Sequence, residues 1–245
     1  MKFSIITVCY NSAKTIRRTF ESVLNQNFTD FEYIVVDGAS KDGTLDIIKE
    51  YEPKFNGRMR YVSEPDKGIY DAMNKGIRMA QGEIIGIINS DDFLEPNALN
   101  EIKKTAEENP CAGVIYGCVR ILLPKGGADV VRRDHRNLNL MQILHPGCFV
   151  KKAFYDQYGV FDTEYSIAAD YDFLLRLYIA GVNFQASDAI VSNFTLDGVS
   201  CRNPMKGELQ EALVKRKNGQ ITLPKYLSLY LKAIAKSLFR QLVGQ

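Results

Sequence analysis

Short apolar runs alternate with helix-like segments through the first 110 residues, and this alternation constrains the fold more than any other feature of the sequence. The runs lie at residues 3–9, 31–36, 59–62 and 83–88 and predict four strands. Between them, apolar side chains recur every three or four residues, the spacing of an amphipathic helix. Strands that alternate with helices predict an α/β fold, with a mainly parallel Rossmann-like sheet flanked by helices. Ligands of such sheets bind at the carboxyl ends of the strands.

The alternation of strand-like and helix-like segments becomes less regular beyond residue 110. We predict an irregular, mobile or inserted stretch over Val130–Asn139, a helix over Ala169–Ala180 and a closing pair of strands within Phe184–Phe194. Two helical segments follow from Pro204. The predicted organisation is a domain of residues 1–203, with halves 1–110 and 111–203, and a basic amphipathic helical tail of residues 204–245.

Composition excludes several classes of protein. The 31 basic and 29 acidic residues leave a net charge of +2, which is too balanced for a nucleic-acid surface, so we expect no nucleic-acid partner. The five cysteines are an odd number with no C-x-x-C pair, a pattern that favours a reducing cytoplasm. The longest aliphatic stretch, Ile84–Ile88, is far shorter than the ~18 apolar residues of a spanning helix.

Common enzyme motifs are absent from the sequence. It contains no Gly-x-Gly, no Gly-Lys, no His-Glu-x-x-His and no Gly-x-Ser-x-Gly. These absences disfavour ordinary dehydrogenases, P-loop kinases, zinc hydrolases and α/β-hydrolases. The polar groups left to carry chemistry are mostly carboxylates.

Three polar clusters follow predicted strands. Asn89-Ser-Asp-Asp92 places hard oxygen ligands after a buried strand, where they suit Mg²⁺ or Mn²⁺ on a diphosphate, although an Asx turn is the alternative. Asp37 can accept a hydrogen bond from a nucleobase N–H, or it can cap its turn. Tyr10 offers a ring on which a base can stack, or it is an ordinary half-buried tyrosine.

Four segments together resemble glycosyltransferase family 2, and their order and spacing resemble the family too. The segments are Ser4–Asn11, Val35–Thr44, Ser63–Gly76 and Asn89–Asp92. The resemblance covers roughly residues 1–195. It implies a GT-A fold, inversion at the anomeric carbon, a nucleotide-sugar donor bound by residues 1–110, an acceptor bound by residues 111–203 and a divalent metal.

The resemblance also implies roles for single residues in donor binding. Asp37 resembles the family's base-recognising aspartate, and Tyr10 with Thr7 matches its first nucleotide-contact segment. Asp91 resembles the last acid of the Asp-x-Asp motif, where it would contact the nucleotide diphosphate and the metal, with Asp92 as the adjacent candidate. The first acid of that motif is replaced here by Asn89, whose carbonyl oxygen can still coordinate a cation. Lys67 lies near the donor-binding turn, where it would face phosphate or solvent.

The segment Ala168–Arg176 resembles the family's catalytic region. Asp170 aligns with the aspartate that acts as base, while Ala169 replaces the acid that commonly precedes it. Asp172 is a further candidate for acceptor binding, but it lies four residues before Arg176 and can pair with it on a helix. His145 lies in a neighbouring segment and either lines the acceptor site or is a structural histidine.

The expected function is transfer of a sugar from a nucleotide diphosphate sugar, with UDP-hexose or UDP-N-acetylhexosamine favoured by the family. The expected acceptor is a hydroxyl of a glycan or lipid-linked saccharide in bacterial cell-surface polysaccharide biosynthesis. The alternatives are a sugar nucleotidyltransferase and a nucleotide-sugar-binding protein without turnover. The first would show a basic, glycine-rich loop after the first strand, where this chain has Tyr10-Asn-Ser12.

The tail has two interpretations. Residues 222–245 contain Lys225, Lys232, Lys236 and Arg240 but no acid, mixed with apolar residues. Such a segment binds the anionic inner surface of a membrane, or packs its apolar side on the catalytic domain or on a second copy in a homodimer.

Overall fold

The structure is a computed structural model that describes residues 2–196 and 203–243, with side chains up to residue 235. Its strands are β1 Phe3–Cys9, β2 Phe31–Asp37, β3 Met59–Ser63, β4 Ile84–Ile87, β5 Phe93–Leu94, β6 Ala112–Leu122, β7 Ala128–Val131, β8 Cys148–Lys151 and β9 Asn183–Thr195. Its α-helices are α1 Ile16–Leu24, α2 Thr44–Tyr51, α3 Ile69–Met79, α4 Ala98–Glu108, α5 Lys152–Tyr158, α6 Ala169–Ile179, α7 Pro204–Lys217 and α8 Leu223–Val243.

The strands in the described part of the chain form one sheet in the order β3-β2-β1-β4-β8-β6-β9-β5, and β7 pairs with β6. The pairs β3–β2, β2–β1 and β1–β4 are parallel, as the alternation of strands and helices predicts. The other half is mixed, because β8 joins antiparallel to both β4 and β6 while β6 pairs in parallel with β9. The carboxyl ends of β1 to β4 therefore meet at one edge.

Helices cover both faces of the sheet because its strands are apolar on both sides. One core layer contains Phe20 of α1, Ile48 of α2 and Leu99 of α4. The other contains Met73 of α3, Leu174 of α6 and Val214 of α7. The helix α7 thus contributes to the same core as the sheet, although the sequence places it in a separate tail.

The second half differs from the sequence prediction in three places. Phe184–Phe194 lies within one strand, β9, and the pairs Tyr116–Ala186 and Cys118–Ile190 leave a bulge where a turn was expected. The first residues of the stretch Val130–Asn139 extend β7, which pairs with β6 as a hairpin. The helix α5 was not predicted.

The four described cysteines are free thiols, and Cys201 lies outside the described residues. Among the helices that the structure describes, none combines the length and the apolar character required to cross a membrane.

A buried carboxylate fastens the edge of the sheet opposite the polar clusters. The Glu32 side chain accepts hydrogen bonds from Ser4 Oγ (2.6 Å), from the Gln81 N–H (2.6 Å) and from Arg60 (2.6 Å). Burial alone would raise the pKa of Glu32, but the hydrogen bonds from Ser4, Gln81 and Arg60 outweigh it and lower the pKa. Glu32 is therefore ionised in the folded protein at neutral pH.

We expect Glu32→Gln to lower the free energy of unfolding by about 1–3 kcal/mol at neutral pH, since the charged bond to Arg60 is lost. The pKa of Glu32 is lower in the folded protein than in the unfolded chain. Its contribution to the free energy of unfolding is therefore complete above the unfolded-state pKa of ~4.3 and is lost as the pH falls through the folded-state pKa. The difference between variant and wild type should therefore shrink in acid. Urea unfolding over a pH series measures it. Glu50→Gln, which breaks exposed pairs with Arg17 and Lys54, is the control and should cost under ~1 kcal/mol. A pH-independent difference would contradict this account.

Candidate active site

The loops at the carboxyl ends of β1 to β4 are fastened to one another by hydrogen bonds. The Gly38 N–H donates to the Cys9 carbonyl at 2.9 Å, and the Glu64 N–H donates to the Asp37 carbonyl at 3.0 Å. Ser90 Oγ, in the loop after β4, donates to Ser12 Oγ at 2.8 Å. The polar segments identified in the sequence therefore form one continuous edge.

Asp37 is fully buried and acts as a structural residue of this edge. Its Oδ2 accepts hydrogen bonds from Ser63 Oγ (2.6 Å) and the Ser40 N–H (3.1 Å), and its Oδ1 accepts one from Ser40 Oγ. The carboxylate has no exposed oxygen for a nucleobase. This carboxylate holds β2, β3 and the loop after β2 together, and its role in base recognition stays a prediction.

Tyr10 and Thr7, the two residues assigned to the first nucleotide-contact segment, lie in different environments. The Tyr10 side chain is 63% exposed directly after β1, so its ring is accessible to a stacking partner. Thr7 is fully buried and its hydroxyl accepts a hydrogen bond from Tyr33 Oη at 2.8 Å. Thr7 is therefore a core residue, and the stacking role of Tyr10 stays a prediction. Lys67 is exposed in the loop between β3 and α3.

The loop after β4 presents one of its two acids. Asp91 is partly exposed, and its carbonyl accepts hydrogen bonds from Arg18 and Thr195 that hold the loop on α1 and β9. Asp92 is fully buried, and its Oδ1 accepts from the Thr195 N–H at 2.9 Å. Burial, reinforced by the charge of Asp91, raises the pKa of Asp92 well above its usual value. Its Oδ2 is buried and, within the described residues, has no hydrogen-bond partner, so Asp92 as a metal ligand stays a prediction.

The residues around Asp91 fit a divalent cation. The Oδ1 atom of Asn89 is buried and has no hydrogen-bond partner among the residues that the structure describes, so it is an oxygen available to a ligand. Asp91 adds a partly exposed carboxylate beside it. Within the described residues there is no cluster of three or more His, Cys, Asp or Glu side chains suited to a metal. Magnesium commonly takes one or two protein carboxylates and completes its shell with phosphate and water.

Asp170 lies in the first turn of α6 and is partly exposed. The Tyr70 hydroxyl, from the first turn of α3, lies within hydrogen-bond reach of Asp170 Oδ1 at 2.8 Å and of the Ile167 carbonyl. Burial and the charge of Asp170 raise the pKa of Tyr70 well above its usual value, so the phenol stays protonated and remains a donor. This contact joins the acceptor half to the loop that follows β3.

Sequence reasoning did not single out Tyr70. It lies inside the quoted segment Ser63–Gly76, two residues after Gly68, so a signal was available. In the same segment Asn74 pairs in both directions with the backbone of Phe161, with its amide donating at 2.9 Å and its carbonyl accepting at 3.0 Å. The helix α3 thus links the parallel half of the sheet to the segment that leads into α6.

His145 and Glu211 lie near Asp170. The His145 ring contacts Phe161 edge-on with 5.7 Å between ring centroids, and burial lowers the pKa of its imidazole although Asp170 opposes this shift. Burial raises the pKa of Glu211 on α7, despite the nearby Lys215, and the charge of Asp170 adds to the rise. A neutral imidazole and an acid from α7 thus share the surroundings of Asp170.

Asp172 belongs to the scaffold. Its Oδ2 accepts a hydrogen bond from Arg176 Nε at 2.8 Å, which is the predicted pair at four residues' spacing, and its Oδ1 accepts one from Asn218 at 3.1 Å. The side chain is only 8% exposed, so it presents no carboxylate oxygen to an acceptor. Its assignment to the acceptor site is corrected for this reason.

The helix α7 also fastens the segment that leads into α6. The side-chain carbonyl of Gln210 accepts hydrogen bonds from the Ile167 N–H (2.8 Å) and the Ala168 N–H (3.2 Å). These amides precede the first turn of α6, which carries Asp170. The position of Asp170 therefore depends on Tyr70 from one side and on α7 from the other.

Solved structures define the class of this fold. The chain superposes with a TM-score of 0.72 on S. aureus TarS 1-349 in complex with UDP-GlcNAc, at 22% identity over 96% of this chain and 72% of that one. It superposes with a TM-score of 0.71 on the mannosyltransferase PcManGT from Pyrobaculum calidifontis in complex with GDP-Man and Mn²⁺, at 19% identity over 96% and 69% of the two chains. The fold is the GT-A fold of glycosyltransferases, as the sequence predicts.

Sequence comparison then gives the family. The profile of Glycosyl transferase family 2 matches residues 4–165, and the chain belongs to this family. It is 31% identical over 180 residues to a PGL/p-HBAD biosynthesis glycosyltransferase of Mycobacterium bovis (strain BCG / Pasteur 1173P2), covering 72% of this chain and 69% of the relative. It is 32% identical over 201 residues to chondroitin synthase of Escherichia coli, covering 80% of this chain but only 29% of that protein.

Proposed function

We propose that this glycosyltransferase moves a sugar from a nucleotide diphosphate sugar to a hydroxyl of a glycan or lipid-linked saccharide, with inversion at the anomeric carbon. The observation that carries the proposal is the contact of Tyr70 with Asp170. It places a partly exposed carboxylate against the segment that follows β3, beside the loops that would hold the donor. A base next to a donor site is what a single-displacement transfer requires.

The nature of the donor and acceptor is supported by the relatives. TarS was crystallised with UDP-GlcNAc and PcManGT with GDP-Man, so the proposed donor is a nucleotide diphosphate sugar, with a UDP-hexose or UDP-N-acetylhexosamine favoured. The relatives named for PGL/p-HBAD biosynthesis and for chondroitin synthesis build glycolipids and polysaccharides. A role in cell-surface polysaccharide synthesis is the corresponding proposal for this chain.

A divalent cation, Mn²⁺ or Mg²⁺, would be held by Asp91 together with the Asn89 carbonyl oxygen. When bound, it would neutralise charge on the diphosphate and so make the nucleotide a better leaving group. Lys67, exposed in the loop after β3, would add a positive charge on the donor side.

Asp170 is the proposed base. The single O–H of Tyr70 is shared between Asp170 Oδ1 and the Ile167 carbonyl, which holds the carboxylate in place and leaves Oδ2 to take the proton of the acceptor hydroxyl. The deprotonated oxygen then attacks the anomeric carbon from the face opposite the nucleotide, so the configuration inverts. His145, neutral because burial lowers its pKa, would offer a hydrogen bond to the acceptor at the same place.

We expect Asp170→Asn to lower kcat by about 10²–10⁴-fold with donor affinity nearly unchanged, since the base is lost but the donor loops are not altered. Tyr70→Phe should lower kcat by about tenfold, because the carboxylate loses the donor that fixes it. Steady-state rates and donor titrations measure both variants. Asp156→Asn, which removes an exposed carboxylate on α5, is the matched control and should keep wild-type rates.

Unchanged turnover in Asp170→Asn would remove Asp170 from the mechanism. Donor binding without any turnover in the wild type would support the binding-protein alternative, and release of pyrophosphate from a nucleoside triphosphate would support the nucleotidyltransferase alternative.

We expect Asp91→Ala to abolish the Mn²⁺-dependent part of nucleotide diphosphate binding, because the exposed carboxylate beside Asn89 is removed. Thermal shift and isothermal titration with UDP, GDP and their sugars, with and without Mn²⁺, measure the effect. Glu83→Ala removes an exposed carboxylate at the opposite end of β4 and serves as the control. Equal binding by Asp91→Ala and wild type would refute the assignment of the cation to Asp91.

The described part of α8 has one buried face and one exposed apolar face, and the exposed face suggests a cellular location for the enzyme. Ala233 is buried, and Tyr226 and Leu229 on the same side are partly buried. The side chains of Leu223, Leu227, Tyr230 and Leu231 are 40–65% exposed and recur at helical spacing. Residues 222–245 are basic and contain no acid. An exposed apolar stripe on a basic helix fits an anionic membrane surface, so we assign the enzyme a peripheral place on the inner face of the cell membrane.

We expect the double variant Leu227→Asp/Leu231→Asp to lose binding to vesicles that contain phosphatidylglycerol, because both substitutions place charge on the exposed stripe. Vesicle co-sedimentation against phosphatidylcholine vesicles measures it. Leu123→Asp, at a partly exposed leucine after β6, is the control. A different result would contradict the membrane assignment: wild type does not bind anionic vesicles but elutes as a dimer, and the double variant elutes as a monomer. The exposed stripe would then be covered by a second copy of the chain.

A further inference from the structure

We propose that Glu211, on α7, binds the acceptor: its side chain hydrogen-bonds the hydroxyl next to the one that Asp170 deprotonates. This inference rests on the proposed function, because it assigns a residue to the acceptor side of the same site. The acceptor class that it implies is a pyranoside with two neighbouring free hydroxyls. Glu211 lies outside residues 4–165, so the family profile does not include it.

Glu211 lies on the face of α7 that packs against the start of α6. Gly207, Gln210, Glu211 and Val214 recur at the three- and four-residue spacing of one helix face. Gly207 and Val214 are buried, and Gln210 accepts hydrogen bonds from the two backbone N–H groups directly before α6. Glu211 therefore lies beside the turn that carries Asp170.

The Glu211 and Asp170 carboxyl groups are close enough for their charges to interact. Burial raises the pKa of Glu211 despite the nearby Lys215, and the charge of Asp170 adds to the rise. Both acids are partly exposed, so a ligand from solvent can reach them. The two acids therefore border the same accessible region.

The Glu211 side chain makes no hydrogen bond or ion pair with another residue that the structure describes, although two cations are near it. Lys215 is four residues further along the helix, but its Nζ donates to the Leu140 carbonyl at 2.7 Å. Arg133 Nη1 donates to the Met141 sulfur at 2.9 Å. A partly buried acid without a partner is unfavourable, and a ligand hydroxyl would supply that partner.

This arrangement suits a sugar ring, because a pyranose carries hydroxyls on adjacent carbons. While one hydroxyl gives its proton to Asp170, the next can donate to an ionised Glu211 or accept from a protonated one. Hydrolysis of the donor has no such requirement. There, water gives its proton to Asp170 and attacks the anomeric carbon, and the nucleotide diphosphate leaves. Glu211 should therefore affect transfer to a saccharide but not hydrolysis.

Rates of hydrolysis and of transfer, measured side by side with Mn²⁺, test the proposal in the full chain. The donors are UDP-glucose, UDP-N-acetylglucosamine and GDP-mannose, and the acceptors are the phenyl pyranosides of glucose, galactose, mannose and N-acetylglucosamine. We expect Glu211→Ala to lower kcat/KM for the preferred glycoside at least about tenfold, with hydrolysis within about twofold of wild type.

Two further variants are compared with Glu211→Ala. Glu211→Gln keeps a group that can hydrogen-bond a hydroxyl, so its loss of transfer should be smaller. Glu208→Ala removes an exposed acid from the same helix and should keep wild-type rates of both reactions.

Deoxy analogues of the preferred glycoside provide a second readout, which does not depend on hydrolysis. Each analogue lacks one of the hydroxyls nearest to the glycosylated position. With wild type, one analogue should react at least about tenfold more slowly than the parent glycoside. Glu211→Ala should slow that analogue no further, because the missing hydroxyl and the missing side chain belong to one contact.

Equal losses of hydrolysis and transfer in Glu211→Ala would mean that the residue only holds Asp170 in place, and would overturn its role in acceptor binding. Unchanged transfer in a folded Glu211→Ala variant would overturn it too. So would wild type that hydrolyses a donor but glycosylates none of the pyranosides, and in all three cases the donor site stands. Failure of wild type to turn over any of these donors would overturn the proposed function and this inference together.

Discussion

The buried carboxylate of Asp37 is the interaction on which the edge of the sheet depends. It accepts hydrogen bonds from the ends of two neighbouring structures, the loop after β2 through Ser40 and the end of β3 through Ser63. Buried polar oxygens are stable only when they are hydrogen-bonded, so any change that removes one of these donors weakens the attachment of the loop or of β3. The positions of Tyr10 and Asp66 follow from it, since both pack around Gly38, the residue next to Asp37.

The sequence predicts the parallel half of this protein well and the other half less well, for physical reasons. The strands β1 to β4 are apolar on both faces and alternate with amphipathic helices, so periodicity alone reveals them. The bulge in β9 and the short strand β7 depend on pairing with β6, a contact between segments distant in the chain that a local pattern does not contain. The same limit explains why α7 looked like a tail, although Val214 packs in the core.

A similar division holds for the site residues. Motif resemblance leads to Asp170, Asp91 and Tyr10, which are at least partly exposed in the structure. The resemblance does not distinguish exposed acids from buried ones, and only the structure shows that Asp37, Asp92 and Asp172 are buried. Neighbouring residues of one motif, such as Asp91 and Asp92, thus differ in exposure. The segment from Asp66 to Tyr70 joins Tyr10 to Asp170, since its first residue lies beside Tyr10 and its last contacts Asp170.

The hydrogen bonds from Ile167 and Ala168 to Gln210 have a consequence for how the enzyme is made. Protein synthesis proceeds from the amino terminus, and domains fold as their residues emerge from the ribosome. The sheet and all of the loops that would hold the donor precede residue 196 and can assemble first. The segment before Asp170 acquires its last partners only when α7 has emerged. A nascent chain would therefore complete the edge proposed to bind the donor before Asp170, the proposed base, is held in place, so the proposed activity would arise late in translation.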